Sequence, residues 1–185
     1  MSYIVICRLN QIAESAVLHG AREMVSLLAE NQKFHRPGVI EQNRHLKLGL
    51  NDIADIRPGL TAPGEAHVEQ LIEFAQSWDQ SAPLVIHCWL GISRSPAAAA
   101  ITALTIAPDQ DDMALADRLR AASPLVTPNA RLIEIGDSML GRGGRLIRAV
   151  NAIGRGADAF EGNRFCFAIR PGDDVPAATP DRIKG

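Results

Sequence analysis

Residues 84–96 read LVIHCWLGISRSP, and no other stretch constrains the fold of this chain as tightly. Leu84 to His87 is a short run bounded by the Ser81–Pro83 turn, the pattern of a strand covered on both faces. From Pro96 the run PAAAAITALTIA is helical, and its small side chains let the helix lie close against a sheet. Only Trp89 to Ser93 separate Cys88 from Arg94, so the chain passes from buried strand to helix through one tight turn. A strand feeding a helix in this way belongs to a layered α/β domain.

The flanking sequence repeats the alternation. Tyr3 to Cys7 reads as a strand and Asn10 to His19 as a helix, with Ile12, Ala16 and His19 on one face. Met24 to Ala29 and His45 to Leu50 are two further strands, separated by a polar segment with a Pro37-Gly38 turn. A helix opens at Thr61–Gly64 and buries a stripe of Val68, Leu71, Ile72, Ala75 and Trp78. Asp109, Asp111 and Asp112 open another helix, with Arg118 and Arg120 near its negative end. Thr127-Pro128 opens what reads as the last helix, ending at about Leu140, where the glycines of GRGGR stop it rather than cradle an anion. Phe165 to Ile169 is either an edge strand or a packing segment. The expected layout is one domain over residues 1–170 and a disordered tail over 171–185.

The 185 residues suit one domain with a real core, and a net charge of -2 gives no general reason to expect nucleic acid or an anionic membrane as partner. Any anion site is therefore local. Three cysteines without CxxC or Cys/His spacing make neither a disulfide framework nor a metal centre, and Cys7 and Cys166 read as core thiols. His19, His35, His45 and His67 are scattered and read as surface or turn residues. The N-terminal apolar run is too short for a signal peptide or a span, so a cytoplasmic protein is expected.

The loop carries the chemistry. Five residues curled at the positive end of a helix turn their backbone N–H groups toward one point, a nest for a tetrahedral anion. Gly91 suits a backbone conformation costly to other residues, and Arg94 offers a planar, two-pronged donor to phosphate oxygens. The same field stabilises a thiolate, which makes Cys88 a nucleophile. A buried cysteine in an ordinary strand–helix turn would need none of these companions.

HCWLGISRS, over His87 to Ser95, resembles the signature loop of the cysteine-dependent protein tyrosine phosphatases, in their small dual-specificity branch, as found in bacteria. The resemblance covers about residues 3–140. It implies a three-layer α/β, protein-tyrosine-phosphatase-like domain, with a mainly parallel sheet of about four to five strands flanked by helices. It also implies hydrolysis of phosphate monoesters through a phosphocysteine intermediate, with neither metal nor cofactor. Carried over by position, Cys88 is the nucleophile, Arg94 binds the phosphoryl group and the Ser95 hydroxyl helps the thiolate depart. Trp89, Leu90, Gly91, Ile92, Ser93 and Arg94 form the substrate-binding loop, and His87 orders that loop without acting as a base.

The family's proton donor is an aspartate after the strand that precedes the cysteine by some three dozen residues, and here that segment is LKLGLNDIADIRPG. Asp52 lies 36 positions before Cys88 and is the choice, with Asp55 as the alternative. The expected substrate is a phosphorylated protein, as phosphotyrosine, or a small aryl phosphate, because Trp89, Leu90, Ile92 and Ser93 bring no positive charge for highly anionic inositol phosphates. Two rival readings share the loop: a rhodanese-like sulfurtransferase and a non-catalytic phosphate-binding module.

Overall fold

The computed structural model describes residues 2–176. In chain order the elements are β1 (Tyr3–Arg8), α1 (Ile12–Leu18), β2 (Glu23–Leu28), β3 (His45–Gly49), α2 (Glu65–Ser77), β4 (Leu84–Cys88), α3 (Arg94–Ile106), α4 (Asp112–Ala122), α5 (Ala130–Met139), α6 (Arg145–Ile153) and β5 (Phe165–Ala168). They build one sheet in the order β3-β2-β4-β1-β5. β4 is inserted between β2 and β1 and runs parallel to both, with Ile86 opposite Val25 and Ile6, and Cys88 opposite Arg8. β3 continues the parallel set and β5 closes the other edge antiparallel to β1. A central strand needs no side chain that water must reach, which is why LVIHC is buried throughout.

Side chains alternate across the sheet and divide the core in two. Ile4, Ile6, Val25, Leu27, Leu84, Ile86 and Cys88 join the cluster formed with α2, α3 and α5. Val5, Cys7, Met24, Val85 and Cys166 join Ile12 and Ala16 of α1 on the opposite face. α1 thus covers one side while the other helices lie on the second, giving the expected three layers with unequal outer ones.

α3 is the innermost helix, with every residue from Arg94 to Leu104 buried. Its alanines let it press on β1 and β4, and α5 comes equally close at Gly136, where a Cβ would lie 2.6 Å from Ile101 Cγ1.

Two local expectations change, and two further segments are resolved. Helix α3 begins at Arg94 rather than near Pro96, so Pro96 occupies the first turn, where its missing N–H leaves no bond unmade. A further helix, α6, follows the one read as last. Leu146, Ala149 and Val150 are buried on its inner face, and Gly144 at φ 82° turns the chain into it. GRGGR does end α5, but its Arg142 is buried against Asp112, Nη2 to Oδ2 2.6 Å, and bridges helices instead of binding a free anion. Phe165–Ala168 is the antiparallel edge strand. Of the expected tail, Pro171 to Pro176 leaves the sheet in a turn, and residues 177–185 lie outside the described part.

Gly136→Val should cost about 1–3 kcal/mol by overpacking against Ile101, read as a lower urea midpoint. An unchanged midpoint would mean that α3 and α5 have room to part.

Candidate active site

The peptide units of the Cys88 loop are tethered on their carbonyl side. Trp89 O accepts from Leu9 N, Leu90 O from Gly162 N, Ile92 O from Thr127 N and Ser93 O from Asn129 N, at 2.9–3.3 Å. A trans peptide points N–H and C=O in opposite directions, so these outward tethers turn the loop amides inward. Cys88 Sγ lies among them: Gly91 N–H donates to it at 3.2 Å, and Ser95 Oγ is 3.2 Å away. Gly91 is required twice over. Its φ is 74°, and a Cβ would stand 2.9 Å from the carbonyl carbon of Cys7.

Arg94, at the first turn of α3, is buried and anchored by Nη1 to Leu50 O at 2.8 Å. Its Nε is also buried, with no hydrogen-bond partner among the described residues. The nearest anion is Asp52, whose Oδ2 is 3.8 Å from that Nε. Asp52 is held through its other oxygen, Oδ1, which accepts from Ser93 Oγ at 2.7 Å and Asn129 Nδ2 at 2.8 Å. Asp55 is exposed and joins none of these contacts.

Thus Cys88, Gly91, Ser93, Arg94, Ser95 and Asp52 come together, as the sequence reading expects. Trp89 and Leu90 instead point into a shallow hollow beside the loop, lined also by Arg8, Leu9, Asn10, Phe160 and Glu161. Ile92 packs beside Gly162. Asn129 was missed: it caps α5, accepting from Leu132 N, and the same side chain grips Asp52. Its cap position after Thr127-Pro128 was readable, its second partner was not. The segment before β5 was missed too; it straps the loop through Gly162 N–H to Leu90 O and the Glu161–Arg8 ion pair.

Behind the loop, His87 is fully buried on the α1 face and its Nε2 lies 2.6 Å from Ser26 Oγ, which in turn lies 2.8 Å from His45 Nε2. His45 is therefore not the surface residue expected. Burial pushes His87 down to about 3, and His45, also for want of solvent, down to about 4. Cys7 and Cys166 share this face and are driven up by burial to about 12 and about 11, so both stay thiols. Cys88 projects from the other face.

Among the described residues, no cluster of three or more His, Cys, Asp or Glu could hold a metal ion, and no helix is long and apolar enough to cross a membrane.

No family model and no curated relative matches the chain. Solved structures do match its backbone, and the fold is that of the cysteine-dependent dual-specificity phosphatases. Human DUSP28 aligns with a TM-score of 0.56 at 14% identity, covering 75% of this chain and 94% of that one. DUSP15 gives 0.56 at 14%, covering 82% and 96%. PTPMT1 in complex with PI(5)P gives 0.57 at 12%, covering 80% and 92%.

The two buried neutral histidines set an acid limit on stability. Each binds a proton more readily unfolded, near 6.5, than folded, so the unfolded state takes up more protons below about pH 6.5 and stability falls as pH falls. For His87 alone, urea unfolding should give a stability about 2 kcal/mol lower at about pH 5 than at about pH 7.5. A flat profile over that window would show that His87 takes up its proton in the folded state.

Proposed function

We propose that the protein hydrolyses phosphate monoesters, in the first place phosphotyrosine in proteins, through a phosphocysteine intermediate. The observation that carries this is the placing in one loop of Cys88 Sγ, the Gly91 amide that donates to it, and the buried Nε of Arg94, which makes no hydrogen bond and has only Asp52 Oδ2 at 3.8 Å as a counter-charge. A buried guanidinium donor without a partner is costly, and a phosphoryl oxygen would satisfy it.

In the first step Cys88 Sγ attacks phosphorus in line with the leaving oxygen, forming S–P as P–O breaks. Inward loop amides and Arg94 take the charge of the three equatorial oxygens. Asp52 supplies the proton to the leaving oxygen. Its Oδ1 already accepts two hydrogen bonds, so the proton resides on Oδ2, the oxygen that faces Arg94. In the second step water attacks phosphorus, Asp52 takes its proton, and the S–P electrons return to Cys88, where the Ser95 hydroxyl 3.2 Å away donates to the departing thiolate.

The rim supports an aromatic leaving group. Trp89 is 50% exposed and Leu90 38%, and Phe160 stands fully in solvent beside them, while the loop itself contributes no cation beyond Arg94. An inositol phospholipid, the kind of ligand present in the PTPMT1 structure, carries charge that this loop does not answer.

The test is phosphate release from an aryl phosphate and from a phosphotyrosine peptide without added metal, with thiosulfate as a parallel substrate. Wild type should release phosphate in a vanadate-sensitive way and Cys88→Ser should release none. Asp52→Asn should lower kcat by about a hundredfold or more, while Asp55→Asn stays near wild type. Phosphoinositide should be turned over more slowly than the peptide. Sulfur transfer from thiosulfate without phosphate release would overturn the reading in favour of a sulfurtransferase, and phosphopeptide binding without release would leave a recognition module.

A further inference from the structure

The Ser26 hydroxyl stands between two imidazoles, 2.6 Å from His87 Nε2 and 2.8 Å from His45 Nε2. A hydroxyl carries a single proton, so if it donates to one ring the other ring must donate to it. The three groups therefore form one directional chain that crosses the α1 face of the sheet from β3 through β2 to β4, where Ser26 and His87 are paired in register. Ser26 and His87 are fully buried, and the Phe34 ring packs edge-on against both imidazoles at centroid distances of 5.8 and 5.5 Å. Water has little room to replace Ser26 or His87.

His87 faces away from Cys88 Sγ, so its influence on the thiol passes through the peptide that joins the two residues. The His87 imidazole also interacts with the Cys88 backbone, so a ring that could rotate would free that peptide, and the loop amides would turn with it. We propose that Ser26 and His45 are positioning residues of the Cys88 loop, holding the His87 ring and through it the backbone from which the thiol projects. The proposal rests on the reading of Cys88 as nucleophile.

The outer end of the chain is half-buried in the wall of a cleft of about 580 Å³ lined by Glu30, Lys33, Phe34, His35 and Lys47. Burial first, then Arg36 from the preceding connection and Lys47 on the same strand, oppose a proton on His45, and Lys33 and Glu30 also line the cleft wall. What His45 supplies is accordingly a hydrogen bond rather than a charge. Glutamine can make that bond and phenylalanine cannot.

The experiment compares Ser26→Ala, His45→Phe and His45→Gln in the full chain. It reads kcat and KM on an aryl phosphate, the rate of alkylation of Cys88 by iodoacetamide at neutral pH followed by peptide mass spectrometry, and the urea midpoint. Ser26→Ala and His45→Phe should lower kcat and slow alkylation by about tenfold, the equivalent of one buried hydrogen bond, with KM little changed. His45→Gln should restore both. Loss of midpoint with unchanged kcat and alkylation per folded molecule, or a His45→Gln as impaired as His45→Phe, would overturn the proposal. If the wild type releases no phosphate but its Cys88 alkylation still follows the three variants as described, the phosphatase reading falls and the positioning chain stands.

Discussion

A peptide unit cannot show its N–H and its C=O to the same side, and the structure around Cys88 depends on that constraint. Four loop carbonyls are held by three separate segments: the turn after β1, the residues at Thr127 and Asn129 before α5, and the strap at Gly162. Together they decide where the amides point. The same logic places β4 in the middle of the sheet. A central strand is hydrogen-bonded on both sides, so the residue at its end has a fixed origin from which a tight loop can start.

Asp52 and the Cys88 loop share supports. Ser93 belongs to the loop and Asn129 tethers the loop through its backbone amide, and both side chains hold the same oxygen of Asp52. Asp52 is therefore registered to the loop rather than to its own exposed segment. The Asp52–Arg94 contact is long at 3.8 Å and half open to solvent, so it is weak and easily exchanged. The bond from Arg94 Nη1 to Leu50 O at 2.8 Å fixes one edge of the guanidinium before any anion arrives.

Most of this was legible where one local rule sufficed. The strand ending at Cys88, the Ala-rich helix, the layered order and the requirement for Gly91 all follow from periodicity and backbone sterics. Asp52 could be preferred over Asp55 only by position relative to the family pattern, and its contacts with Ser93 and Asn129 depend on β3 and α5 meeting over the loop, 77 residues apart in the case of Asn129. α6 was hidden by its glycines: GRGGR reads as an end, and the two left-handed residues at Gly143 and Gly144 turn the chain into a new helix instead. His45 looked like a turn residue because it alternates with Leu46 and Leu48 on a half-polar strand. Only the pairing of β2 with both β3 and β4 shows that this polar face is covered by Phe34 and shared with His87.

The alternation of side chains across the sheet has one more effect, on oxidation. The chain has three cysteines, and the two besides Cys88 sit on the far face, in strands whose register puts Cys7 opposite His87 and Cys166 opposite Val5. A sulfenic acid formed at Cys88 has no thiol on its own side of the sheet with which to close a disulfide, and the sheet would have to open to bring one round. Its rescue before over-oxidation falls to a sulfenamide with a neighbouring backbone nitrogen or to a thiol arriving from solution. The five-residue loop that concentrates amides on the sulfur also supplies the nearest such nitrogens.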